Sequence, residues 1–82
     1  MPRIPRDLSG RELVKLLKKY GYQLERETGS HIRLGSKYKG ADHKITIPDH
    51  KSIKLGTLNS IMKDICFYLG IDKEILIKEL FK

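Results

Sequence analysis

The sequence predicts an α+β fold: one helix, three antiparallel strands, a second long helix and a short C-terminal helix, with the helices on one face of the sheet. Three observations carry this reading. Leucines recur at helical spacing after Ser9. Three short stretches between Tyr22 and Ile47 alternate apolar and polar residues. The apolar residues from Leu55 to Leu69 keep the helical period more closely than any others in the chain.

Pro2 and Pro5 make residues 1–8 an extended lead-in. Ser9-Gly10-Arg11-Glu12 then reads as a capping box. The serine hydroxyl accepts from the amide three residues on, and the glutamate reaches back to the serine amide. The helix that follows carries Leu13, Val14, Leu16, Leu17 and Tyr20 on its apolar side, with Gly21 as its stop. Tyr22 to Glu27 reads as the first strand, with Tyr22 and Leu24 inward. Thr28-Gly29 is expected to turn, because glycine takes positive φ without steric cost.

The second strand runs from Ser30 to Lys37. Ile32 and Leu34 point to the core, and His31 and Arg33 point the other way. Gly35 to Asp42 is polar and glycine-containing, so it reads as a loop or a frayed hairpin end. His43 to Ile47 is the third strand, with Ile45 and Ile47 inward, Lys44 and Thr46 outward, and Pro48 ending it. Asp49 to Lys54 is a basic loop. Leu55, Leu58, Ile61, Met62, Ile65, Cys66 and Leu69 form the apolar stripe of the long helix, which Gly70 stops. Asp72 is placed to cap a last helix through Phe81, with Ile75, Leu76 and Leu80 as its apolar side. The sheet face carrying His31, Arg33, Lys44 and Thr46 is expected to stay open.

With 82 residues, the chain is expected to be one domain, 1–82. A chain of this size buries about 60–65 % of its unfolded surface, so any active site must be shallow and surface-borne. The single Cys66 excludes an intrachain disulfide and a four-thiolate zinc site, and reads as a small core residue of a protein in a reducing cytoplasm. No apolar run reaches bilayer length, so no membrane partner is expected, and the first six residues do not read as a signal peptide.

The net charge is +7, from seventeen Lys and Arg against ten Asp and Glu. From Leu55 onward four lysines cancel four acids, so the whole excess lies before Leu55. Such asymmetry favours a polyanionic partner on the N-terminal two-thirds, although the same charge also serves solubility alone. Arg33, Lys37, Lys39, Lys44, Lys51 and Lys54 are the candidates to track a phosphate backbone, with Gly29 and Ser30 leaving room for its close approach. Tyr38 is the one loop aromatic there to stack on a base.

An imidazole beside a guanidinium on a rigid strand suits chemistry on a phosphodiester. An unperturbed imidazole titrates near pH 6.5 and exchanges protons at neutral pH. The alternation is equally satisfied by a strand histidine with no chemical task. His50, in the basic loop, has two readings: a complementary acid or base, or a ring that hydrogen-bonds its own loop. His43 opens the third strand and reads as surface. No cluster of His, Cys, Asp and Glu has metal-ligand spacing, so no metal or other cofactor is expected.

The element order resembles the double-stranded-RNA-binding-domain fold. Three segments sharpen the likeness. Leu13 to Tyr22 is similar to the opening of the HicA (YcfA-like) toxin family, Gly29-Ser30-His31 matches that family's central Gly-Ser-His motif, and Ile45 to Ile61 is similar to its segment leading into the long helix. The resemblance spans Leu8 to Ile71, leaving residues 1–8 and the extra helix at 72–81 at its margins. Two positions depart: Tyr22 stands where Trp is usual, and Leu55 where Pro is common. The resemblance implies an mRNA interferase, the toxin of a type II toxin–antitoxin pair, with His31 as the catalytic residue. It implies mRNA or other single-stranded RNA as substrate, and a HicB-type antitoxin that covers His31. The alternative on the same fold is a non-catalytic RNA-binding module. A third reading is an adaptor whose basic face binds an acidic protein.

Overall fold

The computed structural model describes residues 4–81. Pro2 and Arg3 of the expected lead-in lie outside the described residues. Residues 6 and 7 form a turn, and Leu8 is buried, with its carbonyl accepting from the Ile53 amide at 2.8 Å. The end of the lead-in is thus pinned to the loop before the long helix.

Helix α1 spans Gly10–Leu17 and tightens into a 3-10 turn over Lys18–Tyr20. Its capping box is present as the sequence predicts. The Glu12 amide donates to Ser9 Oγ at 3.1 Å, and the Ser9 amide donates to Glu12 Oε1 at 3.0 Å. Those bonds hold the Glu12 carboxyl below its ordinary range, the backbone amide of Ser9 contributing most. Gly10 has a second reason to be glycine. A Cβ there would collide with the Pro48 carbonyl, so the helix start lies directly on the exit of the third strand.

Strands β1 (Gln23–Thr28), β2 (His31–Ser36) and β3 (His43–Pro48) form an antiparallel sheet in the order β1-β2-β3. Ile32, Leu34, Ile45 and Ile47 are buried on one face, as their alternation predicts. Helix α2 (Leu55–Leu69) and α1 both pack against β3, and α3 (Lys73–Leu80) packs against α2. This is the predicted α+β architecture, consistent with a double-stranded-RNA-binding-domain-like fold.

Four details differ from the expectation. Tyr22 is fully buried, but it precedes β1, whereas Leu24 is 52% exposed. Both long helices make their main sheet contacts on β3, and all six residues of the edge strand β1 are exposed. Gly35 and Ser36, which the strand and loop readings both claimed, belong to β2, so the loop starts later than Gly35. Ser36 is buried because its hydroxyl donates to the Tyr20 carbonyl at 2.7 Å and ties the strand end to the 3-10 turn. In α3, Ile77 is buried in place of Ile75, and Asp72 sits at the N-cap without a side-chain capping bond. Cys66 is partly buried at the edge of the core, where burial pushes its thiol pKa up.

Candidate active site on the open sheet face

The site begins at the hairpin joining β1 to β2. Gly29 takes φ 57° at the first turn position, a conformation that side-chain-bearing residues rarely adopt. Gly29 and Ser30 form the turn, one residue later than the predicted Thr28-Gly29. His31 opens β2 immediately after it, paired to Thr28 on one side and to Pro48 on the other. Pro48 has no amide hydrogen to give, and the neighbouring amide of Asp49 donates to the Ser30 carbonyl at 2.7 Å. The backbone carrying His31 is therefore held from both flanks, while the residue itself is exposed.

The same end of the sheet is braced from the helix side. Arg11 of α1 makes a two-pronged contact with Asp49 (Nε to Oδ1 3.2 Å, Nη2 to Oδ2 2.9 Å) and reaches Glu27 of β1 at 2.5 Å. The Asp49 hydrogen bond, more than the other carboxylate, raises the Arg11 pKa above its ordinary value. One guanidinium thus joins the strand before the turn to the segment after β3. Nothing in the sequence pattern singled out this residue beyond its place in the capping box.

Open to solvent on the face away from the helices is a shallow depression of about 670 Å³, lined by His31 and Arg33 together with Arg26, Thr28, Lys44 and Thr46. The predicted His31, Arg33, Lys44 and Thr46 do share this face. Arg26 is the residue that sequence reasoning missed. Leu24 pairs with Leu34 and Arg26 with Arg33, which leaves Glu25 as an extra residue in β1. Such a bulge shifts the alternation by one position. Strict alternation from Leu24 would turn Arg26 toward the helices; the bulge turns it to the open face.

Glu25 lies on this face too, folded over Gly35, where a Cβ would collide with its carboxylate. It pairs with Lys44 at 3.1 Å. Lys44 is thus partly neutralised, whereas Arg26 and Arg33 have no ion pair or side-chain hydrogen bond among the described residues. Lys37 lines a second depression, of about 480 Å³, beyond the Glu25–Lys44 pair. Lys39, Lys51 and Lys54 line neither; the last caps α2 with its backbone, and Lys39 is fixed by its amide donating to Tyr68 Oη at 2.9 Å. Of the predicted basic set, Arg33 and Lys44 thus line the first depression, and Lys37 and Lys44 the second. Tyr38 stands edge-on to Tyr20 with ring centroids 5.9 Å apart, and it is 59% exposed.

His50 is exposed, follows β3 by two residues, and anchors the loop through its backbone, its carbonyl accepting from the Gly10 amide at 3.0 Å. Its ring has no hydrogen-bond partner among the described residues. His43 is a different case from the surface residue expected. Its Nδ1 lies 2.6 Å from Tyr22 Oη, its Nε2 lies 3.1 Å from Asp64 Oδ1, and its ring stacks on Tyr68 at 4.5 Å. It is a joint between β3 and α2. Only the tertiary approach of Asp64 and Tyr68 reveals this, since neither is near it in sequence.

Among the described residues no three or more His, Cys, Asp or Glu side chains gather as a metal-binding group, and no helix is long and apolar enough to cross a membrane. Compared with known families, residues 10–65 match the HicA toxin of bacterial toxin–antitoxin systems. The chain belongs to the HicA toxin family. Searches of curated proteins and of solved structures returned no match. The HicA match runs from the first residue of α1 through all three strands and into α2, so it contains the entire open face described above. Helix α3 lies beyond it. A HicA family member is the toxin of a toxin–antitoxin system.

Proposed function

We propose that this HicA-family chain is an endoribonuclease that cleaves mRNA or other single-stranded RNA through His31. Cleavage forms a bond from the 2′-oxygen to phosphorus and breaks the bond from phosphorus to the 5′-oxygen. One proton leaves the 2′-hydroxyl, and one reaches the departing oxygen. His31 carries one or both of these transfers, a contribution of roughly 10²–10⁴-fold. Arg33, on the same face, offers charged donors to the phosphate backbone of the strand bound beside His31. The observation that carries the reading is an exposed imidazole on a strand held from both flanks, next to two unpaired guanidiniums on an open face. Gly29 and Ser30 leave the approach to His31 unobstructed by large side chains.

The reaction so written needs proton transfer and charge stabilisation alone, so cleavage persists in EDTA. Its setting is the cytoplasm, where mRNA is found, and the chain acts as one toxin domain. A HicB-type antitoxin silences it by laying an acidic surface over His31, an association that charge complementarity makes fast. Paired expression of wild type and His31→Ala, each with and without the antitoxin, tests this by growth and mRNA integrity. Wild type alone arrests growth and degrades mRNA; His31→Ala does neither, yet still binds RNA and the antitoxin. If purified wild type binds single-stranded RNA but never cuts it, the chain is a non-catalytic RNA-binding module.

A further inference from the structure

Arg26 and Arg33 face each other directly across β1 and β2, and both line the depression that holds His31. Like charges in that position repel and destabilise a sheet. Neither guanidinium pairs with an acid among the described residues, and Glu25 on the same face is engaged by Lys44. The juxtaposition also depends on a local irregularity, since without the extra residue at Glu25 the two arginines would lie on opposite faces. A doubled, uncompensated guanidinium site is built for an anion with several oxygens.

Its position relative to His31 says which anion. The Thr28–His31 pair and the Arg26–Arg33 pair are successive pairs on one face, two residues apart along β2. At about 3.4 Å per residue, the two levels are separated by roughly 7 Å. That is too far for one phosphate to sit squarely on both, and it is close to the repeat of an extended RNA backbone. We infer that Arg26 and Arg33 form a subsite for the phosphate next to the one being cleaved, so that the enzyme reads two consecutive phosphates of a single strand. This rests on the endonuclease reading and adds to it a second anion subsite and a function for Arg26. The guanidiniums neutralise that neighbouring phosphate and set the register of the strand, which fixes which bond meets His31.

The test is a phosphate walk on a short oligonucleotide with one ribonucleotide in an otherwise 2′-deoxy strand, so that one bond is cleavable. Each phosphate in turn is replaced by a neutral methylphosphonate, and kcat/KM is measured for wild type, Arg26→Gln and Arg33→Gln. In wild type, neutralising one adjacent phosphate lowers kcat/KM by about ten- to a hundredfold, the worth of charge-assisted hydrogen bonds. In Arg26→Gln that same replacement costs little further, whereas replacements elsewhere keep their wild-type effects. Arg26→Lys, which keeps the charge and loses the fork, recovers part of the sensitivity. The inference is overturned if no adjacent phosphate matters to wild type, or if Arg26→Gln pays the full penalty for losing it. It is also overturned if Arg26→Gln leaves cleavage untouched and weakens only antitoxin binding, which assigns the pair to an acidic protein surface. Wild type that cuts neither this strand nor all-ribose RNA removes the endonuclease reading itself.

Discussion

The hydroxyl of Tyr22 lies 2.6 Å from Nδ1 of His43 and joins a fully buried ring to the first residue of β3. The other nitrogen of His43 meets Asp64 of α2 at 3.1 Å, so the contact extends from the residue before β1 through the sheet to the long helix.

Tyr22→Phe removes the hydroxyl and leaves His43 Nδ1 without a partner in a part-buried position. The expected loss is about 1–3 kcal/mol of unfolding free energy, read by urea denaturation. Burial raises the Tyr22 pKa well above 10.0, and burial with the Glu79 hydrogen bond does the same for Tyr20. Above pH 10 the unfolded chain loses these protons while the folded chain keeps them. Stability is therefore undiminished below pH 10 and falls as pH rises beyond it. A pH series of melts should show that fall, and Tyr22→Phe should make it shallower.

Ser9→Ala breaks one arm of the capping box and is expected to cost about 1 kcal/mol. Its acid behaviour has the opposite sign from the tyrosines. Glu12 has a lowered pKa in the folded state, so its contribution is complete above the ordinary value of 4.5 and is lost as pH falls below it. Glu12→Gln should flatten the acid limb of the unfolding curve. An unchanged limb would mean that the back-reaching arm is not formed in solution.

Gly10→Ala forces a methyl into the backbone of Pro48. Overpacking of this kind costs about 1–3 kcal/mol. Pro48 is also the cross-strand neighbour of His31. The variant should therefore lose RNA cleavage beyond what its lower melting temperature explains, when assayed well below that temperature.

His31→Ala separates chemistry from folding. The residue is exposed and its ring makes no hydrogen bond among the described residues, so unfolding free energy should stay within about 0.5 kcal/mol of wild type. Cleavage should drop by roughly 10²–10⁴-fold. A large fall in both would turn His31 into a structural residue.

Ile77→Ala and Ile75→Ala set two readings of α3 against each other. Ile77 is buried and Ile75 is 45% exposed. Truncating Ile77 should cost about 2–5 kcal/mol, and truncating Ile75 under about 0.5 kcal/mol.

That last pair also marks where the sequence stops being informative. Ile75, Leu76 and Ile77 are consecutive, so periodicity alone does not choose a face; the choice comes from packing on α2 and from Glu79 meeting the Tyr20 hydroxyl and Lys19. In β2 and β3 the situation is reversed. Their isoleucines and leucines alternate strictly with polar residues under a covered face, and the pattern alone assigns every side chain from His31 to Leu34 and from Lys44 to Ile47. Of the candidate site, His31 and Arg33 were legible for that reason. Arg26 was not, because Leu24-Glu25-Arg26 reads as plain alternation and nothing local marks an inserted residue. The role of His43 was hidden for another reason: its partners come from residues 22, 64 and 68.

The extra residue at Glu25 also acts on the outer edge of the sheet. β1 leaves one side of its backbone unpaired, which in a flat strand is a template for another chain to extend the sheet. Here the row of free amides and carbonyls is broken midway, and charged side chains flank the break. A foreign strand in register with Gln23 and Leu24 falls out of register by Arg26 and Glu27. The irregularity that gathers two guanidiniums beside His31 thereby also guards the chain against sheet-to-sheet aggregation.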